Sequence, residues 1–164
     1  MKKKLFYISI TLLFLVGGCK NGADSIPELS TMIFNALKAQ KQSMLSNCEP
    51  TSKEMEKAIE LYFTDTSHTK ADRQKEAYDR TASIKITINQ RFSNLEQGAK
   101  ERNIDWSKTK ILDFKYSLTD HREDYKDASV RIIIATNGVK NVIVYKAYLF
   151  GNRWYLMNDL AWEE

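Results

Sequence analysis

The sequence has few of the residues that cross-link or interrupt small domains. Its 164 residues include two cysteines, two prolines, six glycines and two histidines. Two cysteines allow at most one disulfide, so a fold stapled by several disulfides is excluded and stability has to come from packing. There is no glycine-rich phosphate-binding motif and no nucleophile-elbow serine. His68 and His121 lie in separate polar stretches, which favours solvated side chains, and we expect no metal and no cofactor.

An excess of charge of one sign is lacking as well. The chain has 25 basic and 21 acidic residues, but three of the basic ones, Lys2, Lys3 and Lys4, belong to a segment that we expect to be removed. The remaining chain has 22 basic residues against 21 acidic ones, and the two signs are interspersed. Such a surface has no broad positive field for a phosphate backbone, so we expect no nucleic acid partner.

Long hydrophobic runs are also missing, apart from one over Leu5–Val16. A membrane-spanning helix needs about 20 apolar residues, so this run is too short for a permanent anchor. It follows the positive start Lys2–Lys4 and precedes two small residues, Gly17 and Gly18. This order predicts a secretory signal peptide over residues 1–18.

The end of the signal peptide carries a lipidation motif. Val16, Gly17, Gly18 and Cys19 resemble the bacterial lipobox, in which a branched apolar residue and two small ones precede a cysteine. The resemblance implies cleavage before Cys19 and acylation of its thiol, so that the protein incorporates palmitate and is held on a membrane by lipid. Each buried methylene of such chains contributes about 0.8 kcal/mol. An ordinary signal peptide with a cysteine nearby is the alternative.

The segment after the cysteine, Lys20–Ser25, is polar and contains a glycine, and we expect a flexible tether. Lys20 is not the aspartate that retains lipoproteins on the inner membrane, which favours the outer membrane. Alkylation of Cys19 leaves Cys48 as a single thiol, which we expect to be a buried apolar filler. The predicted organisation is a signal peptide (1–18), a lipidated cysteine with its tether (19–25) and one domain (26–164).

The first half of the domain has the patterns of helices. Ser25 with Glu28, and Thr51 with Glu54, form capping boxes that open two helices, the first of them running to about Asn47. A third helix is predicted by an apolar stripe at helical spacing, although three of its isoleucines also alternate like a strand. The stripe consists of Ala77, Thr81, Ile84, Ile88, Phe92, Leu95 and Ala99.

From residue 109 onward the apolar spacing becomes alternating, which predicts half-buried strands. Asn137-Gly138 and Gly151-Asn152 tolerate the positive φ angles of two-residue hairpin turns, so successive strands should be antiparallel neighbours. We expect a charged loop over Asp120–Asp127, between the first two strands. The predicted class is α+β, with three N-terminal helices packed on one face of a four-stranded antiparallel meander sheet.

The order of elements resembles the NTF2-like superfamily, and in particular small bacterial lipoproteins of the DUF4878 type, over about residues 28 to 160. The likeness is carried by the helical first half, by Asp127–Val130 opening a strand, and by the hairpin Tyr145–Leu156. It implies a cone in which a bent sheet meets the helices around a pocket that different relatives use for ligand binding, dimerisation or catalysis. The motifs of the isomerases and dehydratases of this superfamily are not matched, so no catalytic residue is carried over.

Tyr116, Tyr145, Trp154 and Asp159 are the candidate pocket residues. A carboxyl beside phenols in an apolar cleft would serve as a general acid or base, and aromatic rings could hold an apolar ligand. The alternative is that the aromatic side chains form the core and Asp159 faces water.

Three functions follow from these patterns. The first is a non-catalytic envelope lipoprotein whose domain binds a small apolar molecule or an envelope protein. The second is a pocket enzyme of the isomerase or dehydratase type, which requires Asp159 or Asp113 to point into an enclosed cavity with a raised pKa. The third is a structural or inhibitory module that uses its sheet as a docking surface.

Overall fold

The computed structural model describes residues 21–62, 69–122 and 125–164. Within these ranges the chain forms three α-helices and an open four-stranded antiparallel sheet, which confirms the α+β class. The helices are α1 (Ile26–Ala39), α2 (Ser52–Tyr62) and α3 (Lys70–Glu101), with a 3-10 helix (Gln42–Asn47) after α1. The strands are β1 (Lys110–Arg122), β2 (Tyr125–Thr136), β3 (Val139–Phe150) and β4 (Arg153–Trp162).

The predicted caps open the first two helices. The Ser25 side chain accepts a hydrogen bond from the Glu28 backbone N–H at 3.2 Å. At α2 the box is complete, because the Thr51 backbone N–H donates to Glu54 at 2.7 Å and the Glu54 backbone N–H donates to Thr51 at 3.2 Å. Two N–H groups at the start of α2 that lack helical partners are thereby satisfied.

The first helix is shorter than predicted. Gln40 has a left-handed backbone (φ 52°), and its N–H bonds back to Ala36 and Leu37, which ends α1 at Ala39. The prediction of one continuous helix to Asn47 is therefore wrong. The next apolar residues, Met44 and Leu45, lie beyond this turn in the 3-10 helix, from which Leu45 is buried in the main core.

The conflict between helix and strand in the third segment is resolved as a helix. α3 has 32 residues, and Ile88, Phe92, Leu95 and Ala99 are buried along one side of it. Ile86 is 69% exposed, so the alternating isoleucines do not share a buried face. The long stripe decides the structure because only a helix buries residues spaced by three and four.

The sheet is a meander in which β1 and β4 are the edge strands. Both predicted hairpin turns are present, with φ angles of 51° and 83° at Asn137 and Gly138 and of 60° and 67° at Gly151 and Asn152. The predicted loop over Asp120–Asp127 is wrong in its extent, because β1 continues to Arg122 and β2 begins at Tyr125. The charged residues there pair across the strands, for example Asp120 with Lys126 at 3.1 Å.

The helices cover the two faces of the β3–β4 hairpin unequally. The main core lies between α1, the second half of α3 and one face of the sheet, where Trp154 and Leu156 are buried. A smaller cluster joins α2 and the start of α3 to Phe150 and Tyr155. Successive residues of a strand point to opposite faces, so Trp154 and Tyr155 place these clusters on opposite sides. The expectation that all helices share one face is thus corrected.

The described part of the expected tether, residues 21–25, is bound to the domain. The Ala23 backbone pairs with Trp154 of β4 through two hydrogen bonds of 2.9 and 2.8 Å, and Ala23 is fully buried. Gly22 has a φ of 78°, and a Cβ added there would lie 2.7 Å from the Tyr155 ring. Polar composition predicted a free segment, but edge pairing with β4 satisfies its backbone.

Candidate functional site

Two of the four candidate pocket residues fill the interior. Tyr145 is 2% exposed, and its hydroxyl lies 2.7 Å from the Ser30 hydroxyl of α1. Burial raises the pKa of the Tyr145 phenol. Trp154 is buried in the main core beside Ala23. These two side chains match the alternative in which the aromatic residues form the core.

The other two candidates face solvent. Tyr116 is 50% exposed on the edge strand β1, although its cross-strand partner Val130 belongs to the core. Asp159 is exposed on β4 and has a positive φ of 58°. Asp113 is exposed as well and accepts a hydrogen bond from the Phe114 N–H at 2.8 Å. Neither carboxylate is buried in an apolar cavity, so neither meets the requirement of the isomerase or dehydratase alternative.

An open groove of about 520 Å³ runs across the sheet beside three of the candidate residues, although the Tyr116 and Tyr145 side chains alternate with its basic residues and point to the other face. Tyr116, Tyr145 and Asp159 all border this groove, whereas Trp154 does not line it. Two rows of cross-strand neighbours form much of its lining: Lys115, Arg131 and Val144 in one row, and Ser117, Ser129 and Lys146 in the other.

These two rows lie on the side of the sheet opposite the main core. Val130 and Tyr145 are buried beneath the helices, and Ser129, Arg131 and Lys146 alternate with them along β2 and β3. Because side chains alternate between faces, the helices that cover the main core leave this part of the sheet open. The groove is thus a surface feature of the uncovered face.

The groove is lined by three basic residues, Lys115, Arg131 and Lys146, and by two acidic ones, Asp159 and Glu163. Lys115 stands directly opposite Arg131 in the β1–β2 register, and like charges in that position destabilise a sheet. Arg131 forms an ion pair with Glu163, which offsets part of this repulsion. In the described part of the chain, Lys115 and Lys146 have no ion-pair partner. An acidic group placed in the groove would contact these cations.

Arg131 and the two lysines were missed by sequence reasoning. Each alternates with an apolar residue, and that pattern is also the signature of any solvated strand face. Only the register between β1, β2 and β3 brings Lys115, Arg131 and Lys146 into adjacent rows. One signal was available in the sequence. The Asn137-Gly138 turn fixes the β2–β3 register, which makes Lys146 a neighbour of the row that contains Arg131.

The remaining thiol lies in the interior. Cys48 is fully buried, and burial together with the neighbouring Glu49 raises its pKa to about 12. Burial also raises the pKa of Glu49, while Lys85 acts in the opposite direction. A thiol with so high a pKa is a poor nucleophile at neutral pH. The expectation that Cys48 is a buried filler is confirmed by its position.

His121 does not belong to a metal centre formed by the described residues. His121 lies at the end of β1, not in a loop, where its Nε2 is 2.7 Å from Asp127 and its ring stacks on Tyr125. His68 lies outside the described residues. Across the described ranges, no group of three or more His, Cys, Asp and Glu side chains is placed to hold a metal ion.

The lipidation motif, Val16, Gly17, Gly18 and Cys19, lies outside the described residues. Among the helices that the structure describes, none has the length and apolar character needed to cross a bilayer.

Comparison with known proteins identifies no relative. No family model, no curated protein and no solved structure matches this chain. The resemblance to the NTF2-like superfamily therefore stays a prediction.

Proposed function

We propose that this chain is a lipid-anchored protein of the bacterial cell envelope whose α+β domain binds a partner without catalysis. The anchor is supported by the positive start, the short apolar run and the lipobox that ends at Cys19. The proposed location is the outer membrane, since Lys20 follows the cysteine. The proposed fold family is the NTF2-like cone, supported by three helices that precede a four-stranded meander.

The binding role is supported by the groove on the uncovered sheet face. The observation that carries this proposal is that Lys115 and Arg131 are direct cross-strand neighbours, with Lys146 in the next row. A repulsive pair of this kind is relieved when an acidic group lies between the cations. The proposed partner therefore carries carboxylate or phosphate groups.

The shape of the groove favours an envelope protein over a small apolar ligand. Sites for small molecules enclose most of the ligand surface, whereas this groove is open along the sheet. Within the groove itself, Val144 stands beside Arg131 and supplies an apolar contact next to the charges. Aromatic and aliphatic side chains next to charges are typical of protein interfaces.

The anchor is tested by metabolic labelling with palmitate. We expect the parent protein to be labelled and to fractionate with membranes, and Cys19→Ala to lose both properties. Cys48→Ala is the matched control and should keep the label, because Cys48 is a buried thiol. Equal labelling of the Cys19→Ala variant would contradict the proposal.

The groove is tested by photo-crosslinking in intact cells. A photoreactive residue at Ser117, inside the groove, should capture a defined protein, and one at Ser93, exposed on α3, should not. Lys115→Glu should weaken the capture, whereas Lys140→Glu, exposed outside the groove, should leave it unchanged. Identical products from Ser117 and Ser93 would refute binding at the groove.

A further inference from the structure

The first described residues are fastened to the domain at several points. The Asn21 side chain donates to the backbone oxygens of Ser46 and Glu49, both at 2.9 Å. The Gly22 N–H donates to Asn47 O at 2.8 Å. Arg153 donates to Asn21 O at 2.8 Å and to Gly22 O at 2.5 Å.

The same arginine ties down the next charged residue. Arg153 forms an ion pair with Asp24 at 2.5 Å, so one guanidinium holds Asn21, Gly22 and Asp24. Gly22 is required at its position by its positive φ and by the nearby Tyr155 ring. Residues 21–24 are therefore a fixed part of the domain, which we call the N-terminal clamp.

The clamp leaves little free chain before the lipidation site. Asn21 is two residues after Cys19 in the sequence. An extended chain spans at most about 3.6 Å per residue, so the two Cα atoms are no more than about 7 Å apart. A free tether over the whole of Lys20–Ser25 would reach about 20 Å. Lipid on Cys19 would thus enter the bilayer almost directly below Asn21.

The surface beside Asn21 suits a lipid headgroup layer. It forms a groove of about 380 Å³ that includes Ser46, Ser52, Tyr78 and Lys85. Tyr78 is 66% exposed, and tyrosine rings are enriched where membranes meet water. Lys85 is exposed and can contact lipid phosphates.

Of the three carboxylates at the clamp, two are buried or paired, and the third, Glu28, is exposed and accepts a hydrogen bond from the Asp24 N–H at 2.8 Å. Glu49 is 7% exposed, so it presents little charge at the surface. Asp24 is paired with Arg153.

We propose that the surface around Asn21, bounded by Ser46, Ser52, Tyr78 and Lys85, lies directly against the bilayer that holds the lipid of Cys19. This inference rests on the proposed lipid anchor. It adds that the domain has a fixed membrane-facing side, where a flexible tether would let it tumble. The proposed orientation places the β2–β3 turn away from the bilayer, at the end of β3 opposite the clamp; β3 spans about 36 Å at 3.3 Å per residue.

The test measures depth at two sites on the purified lipidated protein. Ser46→Cys, beside the clamp, and Val139→Cys, at the β2–β3 turn, are each labelled with a small fluorophore. Cys48 is fully buried, and the parent protein gives its background. The proteins are reconstituted into phosphatidylethanolamine and phosphatidylglycerol vesicles that contain a headgroup nitroxide lipid as quencher.

We expect strong quenching at position 46 and little at position 139. A Gly-Ser spacer of about eight residues between Lys20 and Asn21, with a root-mean-square span of about 15 Å, should reduce quenching at position 46 towards the level at 139. The spacer variant should still bind the vesicles. Equal quenching at the two sites, or quenching at position 46 that the spacer does not change, would overturn the membrane-facing surface.

Failure of the anchor is recognised separately. If mass analysis shows no lipid on Cys19 and the protein does not remain on the vesicles, the lipid anchor is wrong. The proposed contact between the surface around Asn21 and the bilayer is then wrong as well. If the lipid is present and the two sites are quenched equally, only the oriented contact is wrong.

Discussion

Tyr145 provides the sharpest test of how the interior is built. Its hydroxyl and that of Ser30 are 2.7 Å apart, and the two residues are 2% and 0% exposed, so each satisfies the other away from water. Tyr145→Phe leaves the Ser30 hydroxyl buried without this partner, which costs about 1–3 kcal/mol of unfolding free energy. Ser30→Ala should cost a similar amount, because it leaves the phenol unpaired.

The double variant separates the pair from general packing. Once both hydroxyls are removed, no polar group of the pair is left buried, so the loss should be smaller than the sum of the two single losses by about 1 kcal/mol. Urea unfolding followed by tryptophan fluorescence, in a Cys19→Ala background, measures all four proteins. Tyr116→Phe is the matched control and should change stability by less than about 0.5 kcal/mol, because Tyr116 is half exposed. Additive losses, or a Tyr145→Phe variant as stable as the parent, would refute the pairing.

Three further predictions concern a cap, the thiol and a buried carboxyl. Thr69 is the N-cap of α3, and its side chain accepts a hydrogen bond from the Asp72 N–H at 3.2 Å. Thr69→Ala should therefore lower the unfolding free energy by about 1 kcal/mol in the same urea assay. Cys48 should react with a thiol reagent only in denaturant, because its pKa is raised to about 12 and it is buried; rapid reaction of the folded protein would contradict this. Glu49 has a folded-state pKa raised above its ordinary 4.5, so the folded state holds its proton more tightly, and stability should fall as pH rises from below 4.5 through the folded pKa. Glu49→Gln should lose this part of the pH dependence, which urea midpoints at pH 4 and pH 7 would show.

The elements that could be predicted are those set by local chemistry. The box of Thr51 and Glu54 satisfies backbone groups within one turn, and it opens α2 in the structure. Asn137-Gly138 adopts two positive φ angles because neither residue is strongly opposed to them, so the hairpin follows from two adjacent residues. In both cases the deciding contacts lie within four residues of one another.

The features that could not be predicted depend on contacts between distant residues. Ala23 is held by Trp154, which is 131 positions later, so its composition alone indicated a loose segment. The alternation of β1 correctly predicted a strand, but Tyr116 and Leu118 are half exposed because α3 packs along β4, away from β1. The charged groove requires the register of three strands, which no single segment contains.

The most direct test of the account is the chemical identity of the N-terminus of the mature protein. Mass spectrometry of the N-terminal peptide, isolated from membranes of the native host, should find a chain that begins at Cys19 and carries a diacylglycerol on its sulfur. An N-terminus at another residue, or an unmodified Cys19 thiol, would contradict the lipid anchor and with it the membrane-facing clamp.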